Sequence, residues 1–99
     1  MLQIDVPAEK VKEFCHRRHI SRLALFGSVL RDDFRPESDV DVLVEFESGR
    51  TPGFAFVSIQ EELSALLGSR KVDMVSSKFL NRRVRDQILK EAELLYEKE

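Results

Sequence analysis

The sequence predicts an α/β or α+β domain in which a small sheet is layered with helices on one side. Three short segments have the apolar or alternating pattern of β-strands, and amphipathic segments of helical length separate them along the chain. The chain has 99 residues, of which 42% are hydrophobic and 34% charged. We therefore expect one compact domain over residues 1–99, rather than a disordered or fibrous segment.

The first predicted helix covers residues 7–19, because Pro7 suits a first helical turn and apolar residues then recur at helical spacing. Cys15 falls on this apolar stripe, so we expect it to be a core residue rather than a nucleophile. Residues 20–26 are predicted to form a strand, because residues 23–26 are a nearly continuous apolar run, which is typical of a strand covered on both faces. Gly27 and Ser28 end that strand.

The second strand is predicted over residues 39–46, after a loop rich in Asp, Pro and Ser at residues 31–38. A second long helix follows and stops at Gly68, a suitable C-terminal cap. Phe54 and Phe56 near its start could stack on a base, although aromatic residues there are more often hydrophobic anchors.

The third strand is predicted over residues 71–76, and a last helix begins near Asn81, a good N-terminal cap. The closing residues 94–96 allow two interpretations: they extend this helix or form an edge strand.

Two carboxylates alternate along the second predicted strand. Residues two apart on a strand point to the same side, ~6.6 Å apart, so Asp39 and Asp41 share a face. Asp73 adds a third carboxylate if its strand is the neighbour, ~4.8 Å away. Three crowded carboxylates repel each other without cations, and hard oxygen ligands favour Mg²⁺. Two such ions ~3.5–4 Å apart would activate an attacking hydroxyl and stabilise a leaving pyrophosphate.

Alternating acids are, taken alone, more often the solvated face of a half-buried sheet. What favours a site is the Gly27-Ser28 turn just upstream. A missing Cβ lets a phosphate approach the backbone, and a hydroxyl can donate to it. Such a pair is usually an ordinary turn as well, so the prediction depends on the combination of turn and acids.

The residues around this combination resemble a known family. The segments LFGSVLR at 25–31 and SDVDVLVEF at 38–46 are similar to the signature of the minimal nucleotidyltransferases of the DNA polymerase β superfamily. The resemblance extends over nearly the whole chain, from the first helix to the final Leu-Tyr-Glu. It implies a polymerase-β-like nucleotidyltransferase fold with a small mixed sheet, and an enzyme that transfers a nucleotide from an NTP.

The resemblance also implies roles for individual residues. Binding of the triphosphate falls to Gly27, Ser28 and Arg31. Two metal ions would be held by Asp39, Asp41 and Asp73, which with Ser28 form the implied catalytic set. Asp32 departs from the family pattern, because relatives often have glycine after that arginine. The departure puts the local loop geometry in doubt and leaves the metal ligands untouched.

Proteins that resemble this chain often act as antitoxins of a HEPN-domain ribonuclease toxin, some by transferring AMP from ATP to a toxin tyrosine. The resemblance therefore implies ATP as donor, Mg²⁺ as cofactor and a HEPN toxin as hetero-oligomeric partner. So short a chain leaves no room for its own acceptor-binding domain, which fits a protein acceptor. Two alternatives remain open. One is a non-catalytic nucleotide-binding antitoxin that acts by complex formation, and the other is the nucleotide-binding subunit of a split small-molecule nucleotidyltransferase.

Bulk charge and cysteine content set the remaining expectations. A formal net charge of -2 gives no overall field for nucleic acid, so direct nucleic-acid binding is not expected. One cysteine, no apolar run of membrane-spanning length and no signal peptide predict a cytoplasmic protein without a membrane partner. A local basic cluster is interpreted as a solvated helix face, with contact to triphosphate, RNA or an acidic partner as the alternative. Its members are Lys78, Arg82, Arg83 and Arg85.

Overall fold

The computed structural model describes residues 4–31, 34–35 and 37–98. Its helices and strands, in chain order, are α1 Ala8–Arg17, β1 Ile20–Phe26, β2 Val40–Phe46, α2 Ala55–Leu66, β3 Val72–Ser76, α3 Arg82–Glu91 and β4 Glu93–Glu97. Short 3₁₀ turns follow two of the strands directly, Gly27–Leu30 after β1 and Ser77–Phe79 after β3. Among the described residues, none of the helices combines the length and the apolar character needed to cross a membrane.

The four strands form one mixed sheet in the order β3-β2-β1-β4. β1 runs antiparallel to both β2 and β4, whereas β2 and β3 are parallel. The mixed α/β architecture predicted from the sequence is confirmed. The open choice for residues 94–96 is also decided, because they lie in β4, which pairs with β1 at one edge of the sheet.

The core lies between one face of the sheet and the helices α1 and α2. Alternate residues of the central strands, such as Leu23, Leu25 and Val42, are buried there together with Phe14 of α1 and Leu63 of α2. Cys15 is fully buried in the same cluster, as predicted. Burial raises the pKa of the Cys15 thiol to about 12, which suppresses its thiolate and its reactivity.

The opposite face of the sheet is covered in part. Ala24 and Leu43 point to that face and are buried. α3 joins strands at the two opposite edges, so it has to cross the sheet, and it contacts β1. The expectation of helices on one side therefore describes α1 and α2, whereas α3 follows a separate course and contains no fully buried residue.

Two helix boundaries show how local chemistry sets the path of the chain. α1 ends at Arg17, two residues before the predicted end, because His19 adopts a left-handed φ of 59° that turns the chain into β1. The start of α3 is as predicted, since the Asn81 side chain accepts a hydrogen bond of 2.9 Å from the Val84 amide.

Candidate active site

The parallel pairing of β2 with β3 sets two of the predicted acids opposite each other. Asp41 is the register partner of Asp73, and directly opposed residues on neighbouring strands are ~4.8 Å apart. Asp39 lies two residues before Asp41, just outside β2. The amide of the intervening Val40 donates to the carbonyl of Lys71 at 2.8 Å, which fixes this end of the strand pair. The three acids therefore lie at the same end of the sheet, while their roles remain predictions.

The environment of Asp41 disfavours the charged form of its carboxyl. Partial burial raises the pKa of the Asp41 carboxyl, and the neighbouring charges of Asp73 and then Asp39 raise it further. A bound cation would relieve both causes at once. Ordinary solvated strand acids lack such a shift, so this observation favours a cation site over the solvated-face interpretation.

The three carboxylates are the kind of ligand that Mg²⁺ prefers, although their side chains are not close enough together to bind one ion. Within the described part of the chain, no three His, Cys, Asp or Glu side chains are grouped closely enough to hold one ion. The Asp39 carboxylate instead lies 3.9 Å from the Lys71 ammonium group. This ion pair is exposed and therefore weak. Asp39, Asp41 and Asp73 are the residues predicted to hold Mg²⁺, and little energy is lost if Asp39 gives up its contact with Lys71.

Gly27 lies directly against Asp41. It follows Phe26, the register partner of Asp41, and has a left-handed φ of 76°. A Cβ built on Gly27 would stand 3.3 Å from Cγ of Asp41 and closer still to its Oδ2. The backbone conformation therefore favours glycine, a side chain here would displace the Asp41 carboxylate, and the half-buried backbone of Gly27 borders that acid.

Ser28 belongs to the 3₁₀ turn that Gly27 begins, and Arg31 directly follows its last residue. The Ser28 hydroxyl donates to the carbonyl of Asp39 at 3.4 Å, and the Arg31 amide donates to the carbonyl of Ser28 at 2.9 Å. The turn is thus linked to the residue that precedes β2. The Arg31 side chain is exposed beside Gly27. Asp32, the departure from the family pattern, lies outside the described residues.

A cleft of about 350 Å³ opens beside the turn, and sequence reasoning missed one of its walls. The 3₁₀ side contributes Phe26, Gly27, Leu30 and Arg31, and the α3 side contributes Gln87, Ile88 and Glu91. The only signal in the sequence was the helical spacing of the α3 residues, which gives no indication that this helix reaches Gly27. The cleft can accommodate part of a ligand bound at the turn.

We expect Asp41→Asn to stabilise the metal-free protein at neutral pH. Because the native pKa of Asp41 is raised, its contribution to stability is present below its ordinary pKa and is lost as the pH rises through the native value. The amide removes that cost, and we expect the melting temperature to rise by roughly 2–5 °C at pH 7. Thermal melts in EDTA measure the difference, which should shrink as the pH approaches 4. A lower melting temperature for the variant at pH 7 would contradict the electrostatic account.

Ser28→Ala should weaken ATP binding in Mg²⁺ while the fold persists. One neutral hydrogen bond contributes ~0.5–1.5 kcal/mol, which corresponds to about a 2- to 13-fold increase in Kd. Titration calorimetry provides the measurement. Ser21→Ala is the matched control, because the Ser21 hydroxyl also donates to a backbone carbonyl, that of Glu45 at 3.1 Å, away from the acids. Equal Kd values for the two variants would place the phosphate contact elsewhere.

A comparison with known protein families gives the class of the protein, an enzyme that transfers nucleotides. The family model described as "Polymerase beta, Nucleotidyltransferase" matches residues 9–99, and the chain belongs to this family. The predicted class and enzymatic activity, nucleotidyl transfer, are thereby confirmed.

Two similar proteins carry more specific names. The chain is 37% identical over 81 residues to a protein named protein adenylyltransferase MntA from Thermococcus cleftensis, an alignment that covers 81% of this chain and 79% of the relative. It is 42% identical to a solved structure described as a candidate minimal nucleotidyltransferase, with a TM-score of 0.71 and coverage of 86% and 85%.

A second solved structure has a more distant sequence. It is described as a tri-AMPylated HEPN toxin of Shewanella oneidensis in complex with an MNT antitoxin. The TM-score is 0.64 at 17% identity, and the match covers 91% of this chain and 69% of the other. At this identity the comparison concerns the fold alone.

Proposed function

We propose that the chain is a Mg²⁺-dependent protein adenylyltransferase that transfers AMP from ATP to a HEPN-domain toxin and thereby acts as its antitoxin. The observation that carries the chemistry is the register of Asp41 with Asp73, with Gly27 packed against Asp41. The name of the Thermococcus relative supports a protein acceptor, and the Shewanella complex supports a HEPN partner. A cytoplasmic location, where ATP is available, completes the proposal.

In this proposal the turn after β1 binds the donor. Gly27 leaves its backbone open to the triphosphate, Ser28 donates its hydroxyl proton to a phosphate oxygen, and Arg31 supplies a positive charge at the rim. Asp39, Asp41 and Asp73 would hold two Mg²⁺ ions, which would supply positive charge to offset the charge that develops in an in-line displacement.

The transfer step joins a toxin tyrosine to the α-phosphorus of ATP. The phenolic oxygen forms the new P–O bond, the bond from the α-phosphorus to the bridging oxygen breaks, and pyrophosphate leaves. The phenolic proton passes to a carboxylate of the site or to water. Asp73 is suited to accept this proton because it is exposed on the edge strand β3, where the acceptor protein can approach it.

Intact-mass measurement tests acceptor and reaction together. The chain is co-expressed with the HEPN protein, and the purified complex is analysed after incubation with ATP and Mg²⁺. We expect the HEPN protein to become heavier by whole AMP units, and omission of ATP to prevent the increase. An unmodified HEPN protein that is nonetheless inactive in the complex would favour the alternative of an antitoxin that acts by binding alone.

A further inference from the structure

A second concave surface lies at the end of the β2–β3 pair opposite the acids. It is a groove of about 350 Å³ that begins where Phe46 ends β2 and Ser76 ends β3. Its apolar lining residues include Phe46, Pro52, Phe56, Met74 and Phe79. The volume is at the lower end of the ~300–1,000 Å³ typical of ligand pockets, and the groove can accommodate an anchoring side chain of a protein segment.

The aromatic residues of this groove are not equivalent. Phe56 fulfils the expectation of a hydrophobic anchor, since its ring lies 6.4 Å from that of Phe46. The same expectation is wrong for Phe54, which is fully exposed. Phe79 instead projects from a turn whose base, Ser76 and Ser77, is buried, and 78% of Phe79 remains exposed. A single exposed phenylalanine is unremarkable, but one at the lip of an apolar groove enlarges a contiguous apolar patch.

Positively charged residues adjoin Phe79 along the chain. The Lys78 ammonium group donates to the Thr51 hydroxyl at 3.3 Å, across the mouth of the groove. Arg82 and Arg83 follow in the first turn of α3, where both are exposed and form no ion pair within residues 4–31, 34–35 and 37–98. Cations are disfavoured at a helix N-terminus, so these arginines do not serve the stability of α3. They are available to an acidic ligand.

We propose that this surface, the Phe79 patch (the groove with Lys78, Phe79, Arg82 and Arg83), docks an acidic segment with an apolar anchor on the acceptor protein. The proposal rests on the proposed function for the identity of the acceptor. Charge complementarity selects the partner, since the patch is basic on a chain whose formal net charge is -2. The apolar groove favours a protein over RNA, which would require a wider basic surface.

The position of the patch fits a docking site that leaves the reaction site free. α3 begins at the patch with Arg82, and its last turn reaches the cleft beside Gly27 with Glu91. This helix of ten residues is about 15 Å long. A partner held at the patch therefore keeps an acceptor hydroxyl within reach of the acids while its docking segment stays outside the site.

The test compares patch variants in binding and in transfer to the HEPN protein. Phe79→Ala and the double variant Arg82→Glu/Arg83→Glu are measured against Lys10→Glu/Lys12→Glu, which makes the same charge change on the exposed side of α1. We expect the patch variants to raise Kd and KM for the HEPN protein at least 10-fold, with kcat within twofold. The α1 control should match the unmodified chain. Phe79 and both arginines are exposed, so the fold should persist.

Separate outcomes distinguish this inference from the proposed function. Absence of AMP transfer by the unmodified chain would refute the proposed function. Calorimetric Kd values for the HEPN protein, compared between the patch variants and the unmodified chain, would still test the docking surface. Unchanged Kd and KM in the patch variants would overturn the docking inference even with normal transfer. Loss of binding to a labelled single-stranded RNA, with Kd for the HEPN protein unaffected, would overturn it in favour of an RNA surface.

Discussion

Replacing Asp39 and Asp41 together by asparagine is expected to reduce transfer of label from α-labelled ATP to the HEPN protein by at least about 10³-fold. Asparagine keeps the shape of each side chain but removes its charge, so the site loses two anionic metal ligands. Positioning and charge supply most of the catalysis in such a displacement. The complex with the partner should still form, because the Phe79 patch lies at the other end of the sheet.

Glu45→Gln is the matched control for this variant. Glu45 lies on the same face of β2, and its carboxylate pairs with Arg22 at 3.2 Å, away from the acids. We expect the control to retain activity within a few-fold. If the double variant silences a co-expressed toxin as fully as the unmodified chain, the catalytic proposal fails and an antitoxin that acts by binding takes its place.

Gly27→Ala is expected to lower transfer by about 10²-fold, since a misplacement of ~1 Å at a reacting centre can cost that much. The new Cβ would displace the Asp41 carboxylate, whose Cγ lies 3.3 Å from the Cβ position. A cost in stability of ~1–2 kcal/mol accompanies this, because alanine is strained at a φ of 76°. Steady-state transfer and thermal melts measure the two effects separately.

Gly49→Ala separates the steric effect from the backbone effect. Gly49 has nearly the same φ, 75°, but a Cβ there would meet nothing within 4 Å. We expect it to lose a similar amount of stability and to keep full activity. Equal transfer rates for the two variants would show that close packing of Gly27 on Asp41 is not needed for the reaction.

Local patterns in the sequence predicted most of the elements that carry the site. The apolar run of β1 and the alternation of β2 depend on which face each residue must bury, so periodicity is enough to find them. The signal from Asn81 at the start of α3 is equally local, since a helix cap bonds to a backbone amide within three residues. Asp39, Asp41 and the Gly27-Ser28 turn could be singled out because they are close in sequence and their groups suit the same ligand, a metal-bound triphosphate.

Which strands are neighbours, and which site residues come together, depends on the tertiary structure. The parallel register that opposes Asp41 to Asp73 joins residues 32 positions apart in the sequence. The pairing of β4 with β1 and the arrival of Gln87 and Glu91 beside Gly27 also depend on long-range packing. Periodicity reports which face of an element is buried but not which element buries it. The sequence by itself therefore determined the chemical groups and their strands, whereas the packing of the sheet determined which groups meet.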